Sequence, residues 1–185
     1  MRTIRIALTL LILAAALSVA YAVIAELGLL EPEAIPNEIP ADAEMALVDW
    51  VYDGDTIEAL LPDGSRETVR LTGIDAPETG ANTTPVQCYG QESTVHLRAL
   101  LPAGTTVWMD RDISNRDRYG RLVRFIWTSD QGSALLVNLR MLEDGFAFAR
   151  SYGDDREHEE LFRKAASTAD EADLGMWGAC PSYQG

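Results

Sequence analysis

Three short segments concentrate the residue types that can do hydrolytic chemistry on an anionic substrate. In Asp53-Gly54-Asp55-Thr56, two carboxylates flank a glycine turn. They are hard oxygen ligands in a bend, which suits Ca²⁺ because that ion gathers several oxygens at flexible geometry. The same residues also describe an ordinary hairpin turn with exposed acids, and the ligand ladder and terminal glutamate of an EF-hand are missing. In Arg70-Leu71-Thr72-Gly73-Ile74-Asp75-Ala76-Pro77-Glu78-Thr79, a strand delivers Arg70 at its start and Asp75 at its end. Pro77 stops the ladder and fixes the turn, so that Glu78 can face the same cleft as Asp75. A glutamate beside a metal accepts a proton from an attacking water or orients it; the plain alternative for Arg70 is a strand-face residue paired with an acid. In Asp117-Arg118-Tyr119-Gly120-Arg121, Tyr119-Gly120 makes a tight turn and Arg121 starts the next strand. Two arginines from separate strands can clamp one phosphate and neutralise charge that grows in the transition state; the alternative is a solvated basic loop.

The elements that must position these residues follow from periodicity and turn chemistry. Met45 to Trp50 and Thr56 to Leu61 read as strands around the Asp53–Asp55 turn, and Pro62-Asp63-Gly64 is a hairpin turn leading to a third strand over Glu67 to Gly73. Gln91 to Leu101 has a helical period and ends before Pro102 and Gly104. Thr105 to Arg111 and Leu122 to Trp127 are two further strands, Leu135 to Asp144 a helix, and Asp155 to Asp173 a second, strongly charged helix. Helices do not alternate with strands, which excludes a doubly wound sheet. An α+β fold is expected, a five-stranded OB-type β-barrel with three packed helices. Trp108, Trp127 and Trp177 are expected in the core. His96 and His158 fall in helical segments without a partner pattern for nucleophilic catalysis and read as packing or surface residues.

Composition bounds the function. The chain has 185 residues and a formal net charge of -14, a poor overall match to a polyanion, since nucleic-acid binders usually carry a basic face. Yet Lys164 is the only lysine, and Arg111, Arg116, Arg118, Arg121 and Arg124 crowd one segment. Arginine holds phosphate oxygens bidentately where lysine cannot. The acidic balance argues against tight, processive binding of long DNA but not against catalysis at a local basic patch. Arg2 and Arg5 precede an apolar run from Ile6 to Ala25, which reads as a signal peptide, with Ala20-Tyr21-Ala22 as a cleavage site, or as a retained membrane anchor over residues 1–25. Residues 26–44 form an acidic linker with Pro32, Pro36 and Pro40, and residues 45–185 the folded domain. Either reading of the N-terminus puts that domain outside the cytoplasm, secreted or anchored. Cys88 and Cys180, an even pair in an exported chain, suggest one disulfide between the start of a helix and the C-terminal tail.

Taken together, order, spacing and residue type resemble the staphylococcal nuclease family from about Ala46 to Ala179. The Asp53-to-Thr56 turn, the Arg70-to-Glu78 segment, the Tyr119-Gly120-Arg121 turn with its preceding acid, Tyr89-Gly90-Gln91-Glu92 at a helix start and the late Gly175-Met176-Trp177 all fit. The resemblance implies an OB-type barrel and a calcium-dependent endonuclease acting on DNA and/or RNA. It implies Asp55, Asp75 and the Ala76 carbonyl as Ca²⁺ ligands, with alanine where the best-known member has threonine. Asp53 falls in the outer shell, Arg70 and Arg121 become the phosphate-binding pair, and Glu78 the general base or water-positioning group. Tyr119 and Tyr152 are candidates to stack a substrate base, although barrel packing or a capping turn is the plainer reading. The family often shows more than one tyrosine in the segment around Phe148 to Tyr152, where this chain has Tyr152 alone. Expected partners are nucleic acid as substrate and the membrane as a tether, with the protein a monomer. The alternatives are a catalytically weak nucleic-acid-binding OB module and a calcium-stabilised tethered domain. Neither explains why Asp55, Asp75, Glu78, Arg70 and Arg121 are all present.

Overall fold

The computed structural model describes residues 37–80, 85–130, 132–181 and 183. The segment read as signal or anchor, and the linker up to residue 36, lie outside them. Among the described residues no helix is long and apolar enough to cross a membrane.

Five strands close a barrel. They are β1 (Glu44–Val51), β2 (Thr56–Leu60), β3 (Arg66–Leu71), β5 (Thr106–Asp110) and β6 (Leu122–Asp130). β1 pairs antiparallel with both β2 and β5, β2 with β3, and β5 with β6. A parallel pairing of β3 with β6, Arg70 opposite Val123, closes the ring, which leaves the barrel without open edges. The inward set alternates as pleating requires: Ile57 and Ala59 on β2, Val69 and Leu71 on β3, Val107 and Met109 on β5 are all buried. On β1 the alternation changes phase. The register slips between Val48 and Trp50, so Ala46 and Val48 point inward, then Val51, while Trp50 is left outside. Such a bulge re-aims the chain that follows it, here into the Asp53–Asp55 turn.

β7 (Ser133–Leu136) extends β6, and β4 (Ile74–Asp75) pairs with β8 (Phe148–Ala149) as a separate two-stranded ribbon. Three helices pack on the barrel, α1 (Gly90–Leu100), α2 (Val137–Glu143) and α3 (Glu159–Glu171), followed by the single turn α4 (Met176–Ala179). The fully buried Asn138 of α2 joins helix to barrel. Its Oδ1 accepts from the Ile126 N–H, and its Nδ2 donates to the carbonyls of Thr72 and Arg124. The disulfide is present: Cys88, just before α1, bonds Cys180, just after α4, 92 residues away.

Three element boundaries differ from expectation. Leu135 and Leu136 belong to β7, with Leu136 opposite Trp127, and the helix starts only at Val137. The third strand is interrupted at Thr72-Gly73, where Gly73 takes φ +76°, so Arg70 lies at the end of β3 and Asp75 on β4. The charged helix begins at Glu159, not Asp155, because the Asp155 carboxylate accepts the Ser114 N–H in a loop contact. Of the three tryptophans assigned to the core, Trp127 is fully buried and the other two only partly.

Candidate active site

One cleft of about 550 Å³ is lined by Asp53, Asp55, Arg70, Asp75, Glu78, Tyr119, Arg121 and Tyr152 together. The barrel supplies its floor. Thr56 and Arg70 are opposed across β2 and β3, and the Leu71 N–H donates to the Asp55 carbonyl (2.8 Å), so the Asp53–Asp55 turn is pinned to the end of β3. Gly54 admits no larger residue: a Cβ there would lie 2.6 Å from that of Ala76 and 2.8 Å from that of Ser93. The Ala76 N–H in turn donates to Asp55 Oδ2 (2.8 Å). Asp53 Oδ1 accepts from the Asp55 N–H (3.1 Å), orienting the turn from behind.

Arg70 ties this floor together. Its Nη1 donates to the carbonyls of Leu71 (2.7 Å) and Ile74 (2.9 Å), and its Nη2 reaches Asp75 Oδ1 (3.0 Å) and Asp55 Oδ2 (3.1 Å). Burial pushes the Asp55 carboxyl up to about 7 despite the opposing pull of the Arg70 charge, with the Asp53 carboxylate adding to the rise. Desolvation, then the charges of Asp53 and Asp75, also raise Glu78. The cleft therefore holds more converging carboxylate than Arg70 offsets, and these are the conditions a bound cation relieves.

The opposite wall is the loop before β6. Asp117 Oδ1 accepts the N–H groups of Tyr119 (2.9 Å) and Arg121 (3.0 Å), and its Oδ2 takes Arg121 Nε (2.7 Å). Gly120, at φ +84°, turns the chain. Tyr119 is 68% exposed, so packing into the barrel is excluded for it. Its ring lies under the guanidinium groups of Arg118 (4.8 Å) and Arg121 (5.5 Å). Tyr152 is also largely exposed; its hydroxyl donates to Asp75 Oδ1 (3.3 Å), and Arg70 stands over its ring at 5.9 Å.

The five-arginine segment is not one basic patch. Arg124 is buried and donates to the Asn115 side chain (2.8 Å) and carbonyl (3.1 Å), holding the loop. Arg116 is committed to Glu67 through paired 2.8 Å bonds. Arg111 does not line the cleft; Arg118 and Arg121 do, as does the already committed Arg116.

Residues 68–179 match the family described as staphylococcal nuclease homologue. The chain belongs to that family. It is 34% identical over 134 residues to the thermonuclease of Staphylococcus intermedius, covering 72% of this chain and 76% of that protein. It is 31% identical over 127 residues to the thermonuclease of Staphylococcus hyicus, covering 69% and 72%. Endonuclease YncB of Bacillus subtilis (strain 168) is 28% identical over 131 residues, 70% of this chain and 60% of that protein. The family match starts after the Asp53–Asp55 turn, but the structure joins that turn to the matched region through the Ala76 and Arg70 contacts with Asp55.

In this nuclease-family frame, the residues fit a hard divalent cation. Among the described residues no three His, Cys, Asp or Glu side chains are arranged to hold an ion by themselves. Asp55 and Asp75 nevertheless converge on one guanidinium, 3.1 and 3.0 Å from the same nitrogen, with the Ala76 backbone against Asp55. Two converging carboxylates are the hard oxygen donors that a divalent cation such as Ca²⁺ takes. Sequence reasoning missed Arg150. Its guanidinium reaches Asp75 Oδ2 (2.9 Å) and stands over the Tyr152 ring at 5.6 Å. Nothing local to residue 150 marks it; only the β4–β8 pairing, Asp75 opposite Phe148, brings it there.

Proposed function

We propose that this chain is a Ca²⁺-dependent nuclease that hydrolyses phosphodiester bonds of DNA and/or RNA. The observation that carries the reading is the convergence of Asp55, Asp75, Glu78, Arg70 and Arg121 on one cleft in a chain of the staphylococcal nuclease family. The relatives' names, thermonuclease and endonuclease, support it.

Asp55, Asp75 and the Ala76 carbonyl would hold Ca²⁺, which supplies positive charge to a phosphate oxygen and acidifies a bound water. Glu78 takes the proton of the attacking water or orients it as the water oxygen bonds to phosphorus. The bond from phosphorus to the leaving oxygen breaks, and that oxygen takes up a proton from solvent, the proton removed from the attacking water being released to solvent in turn. Arg121 and Arg70 grip the phosphate oxygens and stabilise the charge that grows on them. Arg70 must exchange part of its contact with Asp55 and Asp75 for the phosphate, whereas Arg121 leans, among the described residues, on the Asp117 carboxylate alone.

The protein is placed outside the cytoplasm in this reading, secreted or tethered by residues 1–25. The Arg-flanked apolar run supports this, as does the disulfide, which belongs to oxidising compartments.

The test is nuclease activity of the full-length chain in detergent on single-stranded DNA and on RNA, with Ca²⁺ and with chelator. Glu78→Ser and Arg121→Ala are expected to lower kcat by about 10²–10⁴-fold with smaller changes in KM. A folded, calcium-binding wild type that cuts neither substrate would sink the enzyme reading.

A further inference from the structure

Glu78 is an exposed side chain on the loop between β4 and α1, with no neighbouring strand to hold its backbone. Gln87 provides the hold. The Glu78 N–H donates to Gln87 Oε1 (2.9 Å), and the Gln87 N–H donates back to the Glu78 carbonyl (2.9 Å). Both backbone groups of Glu78 are thus satisfied by one residue nine positions on. Gly90 lies directly against the same Glu78 carbonyl, where any Cβ would collide with it.

Gln87 is in turn placed by its neighbours. Cys88 is bonded to Cys180, and its carbonyl accepts the Tyr183 hydroxyl (3.1 Å). Tyr89 sits at φ +73°, a left-handed conformation that an L side chain rarely adopts. Such a conformation persists only where the surroundings over-determine it. The disulfide on one side and the Gly90–Glu78 contact on the other do so.

We infer that Gln87 is a positioning residue for Glu78, kept in register by the Cys88–Cys180 disulfide. The inference rests on the nuclease reading for its kinetic consequence, not for its structural one. A general base acts only from hydrogen-bond reach of its proton, and a displacement on the order of 1 Å costs up to about 10²-fold in rate. The C-terminal turn of the molecule therefore acts on the chemistry through the chain sequence Cys180, Cys88, Gln87, Glu78.

The experiment compares Gln87→Met, which keeps length and loses the acceptor, with Gln87→Glu, which keeps an acceptor oxygen, and with Cys88→Ser/Cys180→Ser. All are made in the full-length chain at saturating Ca²⁺. Gln87→Met is expected to lower kcat roughly tenfold, leave KM within about twofold, and speed amide hydrogen exchange at Glu78. Gln87→Glu is expected to stay near wild type in both. In the cysteine-free background Gln87→Met should cost less than it does alone, because the two act in series. Wild-type kcat and a still-protected Glu78 amide in Gln87→Met would overturn the inference, as would equal losses in Gln87→Met and Gln87→Glu. If the wild type cuts no nucleic acid, the function fails but the Glu78 exchange rates still decide the positioning role.

Discussion

On the barrel wall of the cleft, Arg70 is fixed by the Leu71 and Ile74 carbonyls and by Asp55 and Asp75, with its side chain only 11% exposed. On the loop wall, Arg121 is held, among the described carboxylates, by Asp117 alone and shares the exposed Tyr119 ring with Arg118. The same residue type thus serves two purposes. Arg70 offsets buried carboxylates and is part of the fold. Arg121 lines the cleft from the loop, 28% exposed and paired with Asp117; in the proposed reaction it would follow the phosphate. Substitutions at the two should separate stability from catalysis.

The largest effect is expected at Arg70. Arg70→Met leaves the buried Asp55 without its ion-pair partner, while Asp75 keeps Arg150, and breaking a buried ion pair from one side costs about 3–5 kcal/mol. Urea denaturation should show that loss, and kcat should fall by about 10³-fold. Arg121→Met should match the fall in kcat within about tenfold yet lose under about 1 kcal/mol of stability, as for a partly exposed pair. Arg70→Met combined with Asp55→Asn should regain much of the stability without activity, because the buried charge is gone. Equal destabilisation by Arg70→Met and Arg121→Met would erase the distinction between the walls.

Asn138 tests the barrel wall from behind. Its amide joins the Ile126 N–H to the Thr72 and Arg124 carbonyls. Thr72 precedes the Gly73 turn that separates Arg70 from Asp75. Asn138→Ala strands those buried groups and should cost about 1–3 kcal/mol, read as a melting temperature lower by about 2–4 °C per kcal/mol.

The barrel wall was also the more legible one. Alternation around Ile57, Ala59, Val69 and Leu71, with Pro62-Asp63-Gly64 between them, points to a hairpin from sequence alone, because the inward set has period two and the turn needs those residues. The Arg70-to-Glu78 segment carries its chemistry in adjacent positions, so its motif is local. The loop wall carries its structure at a distance. The five arginines look alike in sequence, yet Arg116 is committed to Glu67, 49 residues away, and Arg124 is buried. Arg150 meets Asp75 across 75 residues. No local pattern encodes such pairings. Leu135 and Leu136 read as helical in sequence for a related reason: a short apolar run satisfies either period, and only the partner strand at Trp127 and Thr128 decides.

Tyr119 sharpens the loop wall. Its ring is exposed and faced by two guanidinium groups, a surface on which an unpaired base can stack. Tyr119→Ala should raise KM for single-stranded DNA by about five- to tenfold, near the lower end of base–aromatic stacking energies, with kcat and melting temperature unchanged. A fall in melting temperature instead would mean that the ring serves the fold.

The smallest effect is expected at Asp117, and its sign is set by protonation. Burial alone would raise its carboxyl, but the Arg121 guanidinium and the N–H groups of Arg121 and Tyr119 outweigh burial and hold it below the ordinary carboxylate value. A carboxyl lowered on folding contributes stability that is fully present above its unfolded value of about 3.9 and is lost as pH falls through the lower folded value. Asp117→Asn keeps an acceptor for the backbone N–H groups and removes only the charge. The wild type should therefore exceed Asp117→Asn by under about 1 kcal/mol from neutral pH down to about 5, and the gap should close as pH drops below about 4. Urea midpoints measured across that range check it. No gap at any pH would mean that Asp117 supports the loop through its backbone bonds alone, and that Arg121 is even less restrained than its ion pair with Asp117 suggests.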